Sequence, residues 1–446
     1  MWGLGALPLG RSRVPAPSLG PDERAVHNRR NEILRVFCGI DWAEDHHDVA
    51  LVNAEGKLVT KRRISDDAAG FAALVQVFSD AGDSAEEPIP VAIETGRGLL
   101  VACLRATGRT VFAINPLAVS RYRDRHSLAR KKSDAGDALV LANILRTDLP
   151  SHRPLPADSE LAQAIAVLAR AQQDAVWDRT CAHNKLRSQL REYYPGIIAA
   201  FADKRHGLLR PDARAVLAAA PTPRAAAKLT RTQLRALLRR AGRQRGLDAE
   251  ADRLQAILRA DYLRQLPLVE DAFGRQALAL LRQLDAACAS ADELTATVIE
   301  HFDTHPDAPI ITSQPGLGAL TGARVLAEIG DDRSRFRDAR ALKAYAGSAP
   351  ATRASGKSLA VMHRRVKNQR LAATGYLWAF TALTASPGAR AHYDRRKTTG
   401  DRHVAAQRNL FNRLIGCLYH CPETRQHYNE SIAFPTATTI NQRTAA

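Results

Sequence analysis

The sequence predicts an α/β domain followed by a longer, mostly helical region. Three observations predict it. Short apolar runs bounded by turn residues recur between residues 34 and 115 and read as strands. Segments with apolar residues three and four apart separate the later runs and read as helices. From Ser159 onward the helical spacing dominates.

Leu34 to Asp41 is an apolar run that ends in a carboxylate. His47–Val52 and Leu58–Ile64 follow, with turn residues from Asn53 to Gly56, so the opening reads as a three-stranded meander. Asp67–Phe78 is an amphipathic helix. Pro88–Thr95 is a strand that also reaches a carboxylate, Glu94. Gly98–Thr107 is helical, Thr110–Asn115 is a fifth strand stopped by Pro116, and a helix runs on to about Arg146. The order β-β-β-α-β-α-β-α is that of an RNase H-like mixed sheet.

Leu161, Ile165, Leu168, Ala175, Leu186 and Leu190 form one long helical stripe, and Phe273 to Val298 carries a second. They flank an arginine-rich helical segment, Asp212–Arg264. Residues 155–305 therefore read as a helical region of coiled-coil character, serving either oligomerisation or an intramolecular bundle. A further region spans 306–422. It opens with Pro315-Gly316-Leu317-Gly318 between two helices, a helix-hairpin-helix pattern whose bare N–H groups could take a phosphate. A polar loop, Pro350–Ser358, a basic run, His363–Arg370, and two more helices follow. Residues 33–150 would form the first domain, and 1–32 and 423–446 lack periodicity and read as tails.

The 446 residues include 64 Lys and Arg against 46 Asp and Glu, a formal net charge of +18. That balance points to a polyanionic partner, most often nucleic acid. The six cysteines show no paired metal-ligand spacing, and no apolar run approaches the roughly 20 residues of a membrane span. A cytoplasmic protein with reduced thiols is expected, with no membrane partner.

The chemistry gathers on carboxylates. Asp134 and Asp137 are three residues apart, so on a helix they share a face, and two like charges there call for a cation. With Asp41 and Glu94 they make four carboxylates suited to Mg²⁺ or Mn²⁺ and to two-metal phosphodiester chemistry. Arg121, Arg123, Arg125, Arg130, Lys131 and Lys132 lie just upstream, where they would lead phosphate in and offset carboxylate repulsion. Ser355 is a candidate nucleophile among Arg353, Lys357, Arg364 and Arg365, which could stabilise a pentacovalent phosphate, although no base adjoins it in sequence.

Gly39-Ile40-Asp41, Glu94-Thr95-Gly96, Asn115-Pro116, Lys132-Ser133-Asp134-Ala135-Gly136-Asp137-Ala138, Pro315-Gly316-Leu317-Gly318, Leu326–Asp331 and Ser355-Gly356-Lys357 occur in an order that resembles one family. It is that of the RuvC-like DEDD transposases of bridge-RNA-guided insertion sequences, the insertion-sequence one-hundred-and-ten type, related to pilin-inverting recombinases. Ser133 departs from the threonine usual in that pattern, and Ala354 from a polar residue. The resemblance implies a RuvC-like domain with Asp41, Glu94, Asp134 and Asp137 as metal ligands, and a carboxy-terminal transposase domain with Ser355 as the nucleophile that becomes linked to DNA. It also implies a noncoding guide RNA and a homo-oligomer, a dimer or tetramer. A RuvC-like structure-specific nuclease and a non-catalytic nucleic-acid binder are the alternatives. An actin-like sugar kinase is disfavoured, because Trp42–His46 lacks the glycine that would hold ATP phosphates.

Overall fold

The computed structural model describes residues 35–126, 134–202, 207–356 and 358–435, and the side chains of His126, Asp134 and Ala135 lie outside that description. The expected tail 1–32 and the basic residues Arg130, Lys131, Lys132 and Lys357 also lie outside it. The chain divides into two compact units at Leu155 and Pro156.

The first unit is a five-stranded sheet with helices on both faces. Its strands are β1 (Phe37–Trp42), β2 (His46–Val52), β3 (Leu58–Ser65), β4 (Val91–Ile93) and β5 (Val111–Ala113). They lie in the order β3-β2-β1-β4-β5. β1 to β3 form an antiparallel meander, whereas β4 and β5 run parallel to β1. β3 is an edge strand and mostly exposed, and Lys61, Arg62 and Arg63 along it discourage pairing with another chain. The order of elements is the expected one up to Pro116. Beyond it two helical segments are described, α3 (Pro116–His126) and α4 (Asp134–Asp148), with residues 127–133 of the expected helix outside the described residues; they follow α1 (Ala68–Asp80) and α2 (Leu99–Ala106).

Two cores sandwich the sheet. Cys38 and Ile40 point with Val91 and Ile93 toward Leu74, Phe78 and Leu104 of α1 and α2. Phe37 and Ala92 point the other way, toward Leu141, Ala142 and Leu145 of α4. Gly39 sits on this second face, and α4 passes so close that a Cβ there would lie 2.1 Å from the carbonyl oxygen of Ala138 and 2.4 Å from the amide nitrogen of Ala142. Only a residue without a side chain permits that approach.

In the second unit the two periodic stripes meet within the chain. Helix α5 (Glu160–Tyr193, 34 residues), capped by Ser159, runs antiparallel to α11 (Pro267–Asp303, 37 residues). Gln189 donates to the Phe273 carbonyl at one end of the pair, and Gln172 donates to Thr295 Oγ1 toward the other. The stripes therefore pack on each other within one chain. Five shorter helices, α6 (Pro195–Ala200), α7 (Pro211–Ala219), α8 (Pro223–Ala227), α9 (Arg231–Arg240) and α10 (Leu247–Arg259), close over one end of the pair. Several arginines of this segment are used internally: Arg210, Arg253 and Arg264 pair with the buried Asp212, Glu250 and Glu270.

The other end of the pair joins a second core. Ile165, Ala169, Val298 and Phe302 pack there with α12 (Ala308–Thr312), α13 (Ala319–Ile329), α14 (Ala339–Tyr345), α15 (Gln369–Ala385), α16 (Pro387–Thr398) and α17 (His403–Thr424). The described part of the expected carboxy-terminal tail is docked rather than loose. Glu430, at the start of α18 (Glu430–Ala433), accepts from Ser386 Oγ and the Gly388 amide, and Ala433 is buried. Among the described residues, no helix is long and apolar enough to cross a membrane.

The close approach at Gly39 generates a direct expectation. Gly39→Ala should force α4 off the sheet and lower stability by at least about 2 kcal/mol, read as a fall in the denaturant midpoint of the first unit; an unchanged midpoint would show that the helix moves without cost.

Candidate active site

Register and alternation bring the strand-borne carboxylates together. β1 and β4 are parallel, and Ile40 pairs with Ile93. Asp41, on β1 and on the face that carries Gly39, and Glu94, one residue past the end of β4, follow this pair at the same end of the sheet. This is the carboxyl end of the parallel strands, where the chain departs in opposite directions from β1, the usual place for a site in an open α/β sheet. Helix α4 covers the same face and runs against β1. Near its end, Arg146 donates to the Ala54 carbonyl, beside the Phe37–Val52 end of the sheet. Its first turn, which begins at Asp134 and includes Asp137, therefore lies toward the Asp41 end.

Two arginines moderate this concentration of charge. Asp137 is nearly buried and meets Arg123 of α3 at 2.8 Å. Asp48, on β2, stands directly opposite Asp41 and shares its face. Like charges in such a pair repel, and Arg63 of β3 holds Asp48 through two contacts of 2.7 and 3.3 Å. Asp48 was not singled out in the sequence, although alternation within its strand put it on the Asp41 face. Among the described residues, no three His, Cys, Asp or Glu side chains lie close enough together to hold a metal ion. The Asp134 side chain is not among them.

Ser355 lies in the second unit. The expected polar loop is a β-hairpin, β6 (Ala351–Ser355) against β7 (Ser358–Met362). Ser355 pairs with Ser358 across a two-residue turn, and Gly356 supplies the left-handed backbone, φ +54°, that such a turn needs. Ser355 and Arg353 share a face and are exposed, while Leu359 and Val361 are exposed on the other.

A buried polar cluster anchors the root of this hairpin. Glu328 of α13 is 4% exposed and accepts from Arg170 of α5 at 2.8 Å. It also accepts from Asn368 Nδ2, while Asn368 Oδ1 caps the first turn of α15. The hydrogen bond to Glu328 holds Arg170 above its ordinary pKa. At the end of α13, Asp158 Oδ1 accepts from the Asp331 and Asp332 amides, while those aspartates accept from the Ser159 and Ala157 amides. Burial pushes Asp331 up, but hydrogen bonds from Ser159 and His305 outweigh it, so its carboxyl lies below the usual range.

These regions coincide with two known sequence families. A DEDD transposase model of the IS110 type matches residues 38–195, and the model described as Transposase IS116/IS110/IS902 family matches residues 308–394. The mini-circle protein of Streptomyces coelicolor assigned as transposase for IS117 is 65% identical over 401 residues, 90% of this chain and 97% of that protein. The chain belongs to the IS110 family of insertion-sequence transposases. The 43.6 kDa protein of insertion element IS110 from S. coelicolor is 29% identical, over 87% of this chain and 94% of its own length. The 42 kDa protein of IS900 from Mycobacterium paratuberculosis is 27% identical, over 86% and 94% respectively.

In this transposase the remaining candidate residues divide by environment. Arg121, Arg125, Arg353 and Arg365 are exposed, and Arg364 donates to the Ala349 carbonyl. The glycine turn packs as follows. Gly316, with φ +81°, faces α15: a Cβ there would lie 2.6 Å from the Ala382 amide nitrogen. Trp378 Nε1 and Thr381 Oγ1 of α15 take the Pro315 and Gly316 carbonyls at 3.0 and 2.9 Å. Gly318 is exposed, but its N–H donates to Thr321 Oγ1. Gly316 thus lets this turn sit against α15, while Gly318 remains exposed. The anchors Arg170, Glu328 and Asn368 were not recognised as a cluster in the sequence, because they come together from three separate helical segments.

The Arg123–Asp137 pair is testable. Arg123→Ala leaves a nearly buried carboxylate without its guanidinium and should cost about 3 kcal/mol, measured by chemical denaturation; stability equal to the wild type would mean that Asp137 is satisfied by another group.

Proposed function

We propose that this transposase cleaves and rejoins DNA strands using the carboxylates Asp41, Glu94, Asp134 and Asp137 together with the nucleophile Ser355. The observation that carries the reading is the strand-end geometry: Asp41 on β1 and Glu94 just past β4 follow the paired Ile40 and Ile93 at the end of the sheet toward which the first turn of α4 lies. The strand order β3-β2-β1-β4-β5 supports an RNase H-like, RuvC-like domain. All four groups are oxygen donors, which suits a hard cation such as Mg²⁺ or Mn²⁺. Bound by them, that cation would polarise a phosphodiester oxygen and lower the barrier to its displacement. Arg123 pairs with Asp137 and holds it in place, and Arg63 does the same for Asp48.

Ser355 Oγ attacks phosphorus, the bond to the departing deoxyribose oxygen breaks, and the hydroxyl proton passes to solvent. Rejoining reverses these changes. The exposed hairpin tip supports this role because a nucleophile there can reach a strand that the core could not admit. Arg353, on the same face, would bear the charge on the phosphate, with Lys357, Arg364 and Arg365 nearby in sequence. Exposed Arg121 and Arg125, with Arg130, Lys131 and Lys132, would guide the DNA backbone. The helix-hairpin-helix reading falls on Gly316 and Gly318, with contact expected at the exposed Gly318 end. The net charge of +18 supports a noncoding guide RNA as a second polyanion, and the reading includes a homo-oligomer, a dimer or tetramer.

Ser355→Ala should abolish a covalent protein–DNA adduct on denaturing gels with labelled insertion-sequence ends, and an adduct of undiminished yield would remove the serine from the mechanism. Asp41→Asn should slow cleavage by about 100-fold or more while DNA binding persists. Excess EDTA should also stop cleavage, and full activity under chelation would overturn the metal assignment.

A further inference from the structure

A cavity in the second unit is used by neither the carboxylates nor Ser355. Its volume is about 390 Å³, within the range of about 300–1,000 Å³ typical of small-ligand sites. Its walls are apolar and carry two aromatic rings, Tyr376 from α15 and Phe411 from α17. Phe411 is buried, whereas Tyr376 is 46% exposed. The mouth carries Lys367, Arg402, Arg408 and His363, and no carboxylate is found among the described lining residues.

Two features make this a formed site. Lys367 Nζ lies 3.0 Å from His363 Nε2. Burial and the neighbouring Lys367, Arg408 and Arg365 hold His363 below its ordinary pKa, so the neutral imidazole accepts from the ammonium. Asn368, next in sequence to Lys367, is fixed by Glu328 and by the cap of α15. The wall from His363 to Asn368 is therefore anchored at its end. That wall connects β7 to α15, so the cavity opens at the root of the hairpin whose tip carries Ser355.

A partly exposed ring in an apolar recess, with cations and no anion at the mouth, matches one ligand chemistry. An unstacked nucleobase presents a π-face to the ring, and its flanking phosphates meet the cations. A small inorganic anion or a neutral apolar ligand would use only half of this arrangement. We propose that the cavity bounded by Tyr376, Phe411 and the Lys367–Arg402–Arg408 rim receives one unpaired base of a single nucleic-acid strand. The proposal rests on the reading that this transposase handles opened strands. Holding a base there would fix the strand beside the hairpin without reading its sequence, because every base has a π-face.

The test compares strands of equal charge. The full chain is titrated, by fluorescence anisotropy, with oligothymidylate on the order of ten nucleotides long, with an abasic deoxyribose-phosphate strand of the same length, and with oligouridylate. Wild type should bind the base-bearing strands about tenfold more tightly than the abasic strand. Tyr376→Ala, and Tyr376→Leu, which keeps apolar bulk without a π-face, should lose that preference while abasic binding stays constant. Tyr376→Phe should retain it. The tighter of oligothymidylate and oligouridylate identifies the source of the base as DNA or RNA. Wild type that binds based and abasic strands equally overturns the pocket and leaves the DNA-processing reading standing, whereas no binding of any strand overturns both. Equal losses on all strands, or a changed oligomeric mass in the Tyr376 variants, would assign the cavity to folding or to a second copy of the chain and overturn the proposal.

Discussion

The amino-terminal unit depends on how closely α4 approaches β1. The contact is backbone to backbone at Gly39, and no side chain fits between. It sets the height of α4 above the sheet and so the distance of its first turn from the strand ends that carry Asp41 and Glu94. The apolar residues on either side, Phe37 and Ala92 against Leu141 and Leu145, hold the helix down. A hydrophobic contact thus positions polar chemistry one turn away.

The second unit meets a different constraint, the burial of charge. Glu328, Asp212, Glu250 and Glu270 are nearly buried, and each takes at least one arginine. An isolated carboxylate in those positions would cost several kcal/mol, so part of the large arginine content is committed to the fold. The excess of basic residues is therefore not all available to a polyanion. Exposed cations such as Arg353 and Arg365, on and after the hairpin, are better placed to meet phosphate than those of the helical bundle.

Much of the first unit was legible because its signals are local. Short apolar runs, turn residues at Asn53–Gly56 and the helical spacing of Asp67–Phe78 each act within a few residues, and the observed elements follow them. The packing of the turn at Gly316 was not legible. A glycine admits both an exposed amide and a close helix contact, and which one is realised depended on Trp378 and Thr381, more than sixty residues away. The base-sized cavity left no sequence signal, because its lining comes from four separated segments.

The sequence by itself determined the family, the order of elements, the positions of Asp41 and Glu94 at strand ends and the pairing of Asp134 with Asp137 on one helix. These follow from short-range periodicity and from motifs whose residues are close in the chain. Tertiary structure alone decided which arginines neutralise Asp137 and Asp48, that the two long stripes bury each other, and that the serine segment is an exposed hairpin rooted on Glu328 and Asn368. Each of those outcomes depends on which distant side chains share a buried volume, and the free energy of burying charge and apolar surface is set by that shared volume rather than by neighbours in sequence.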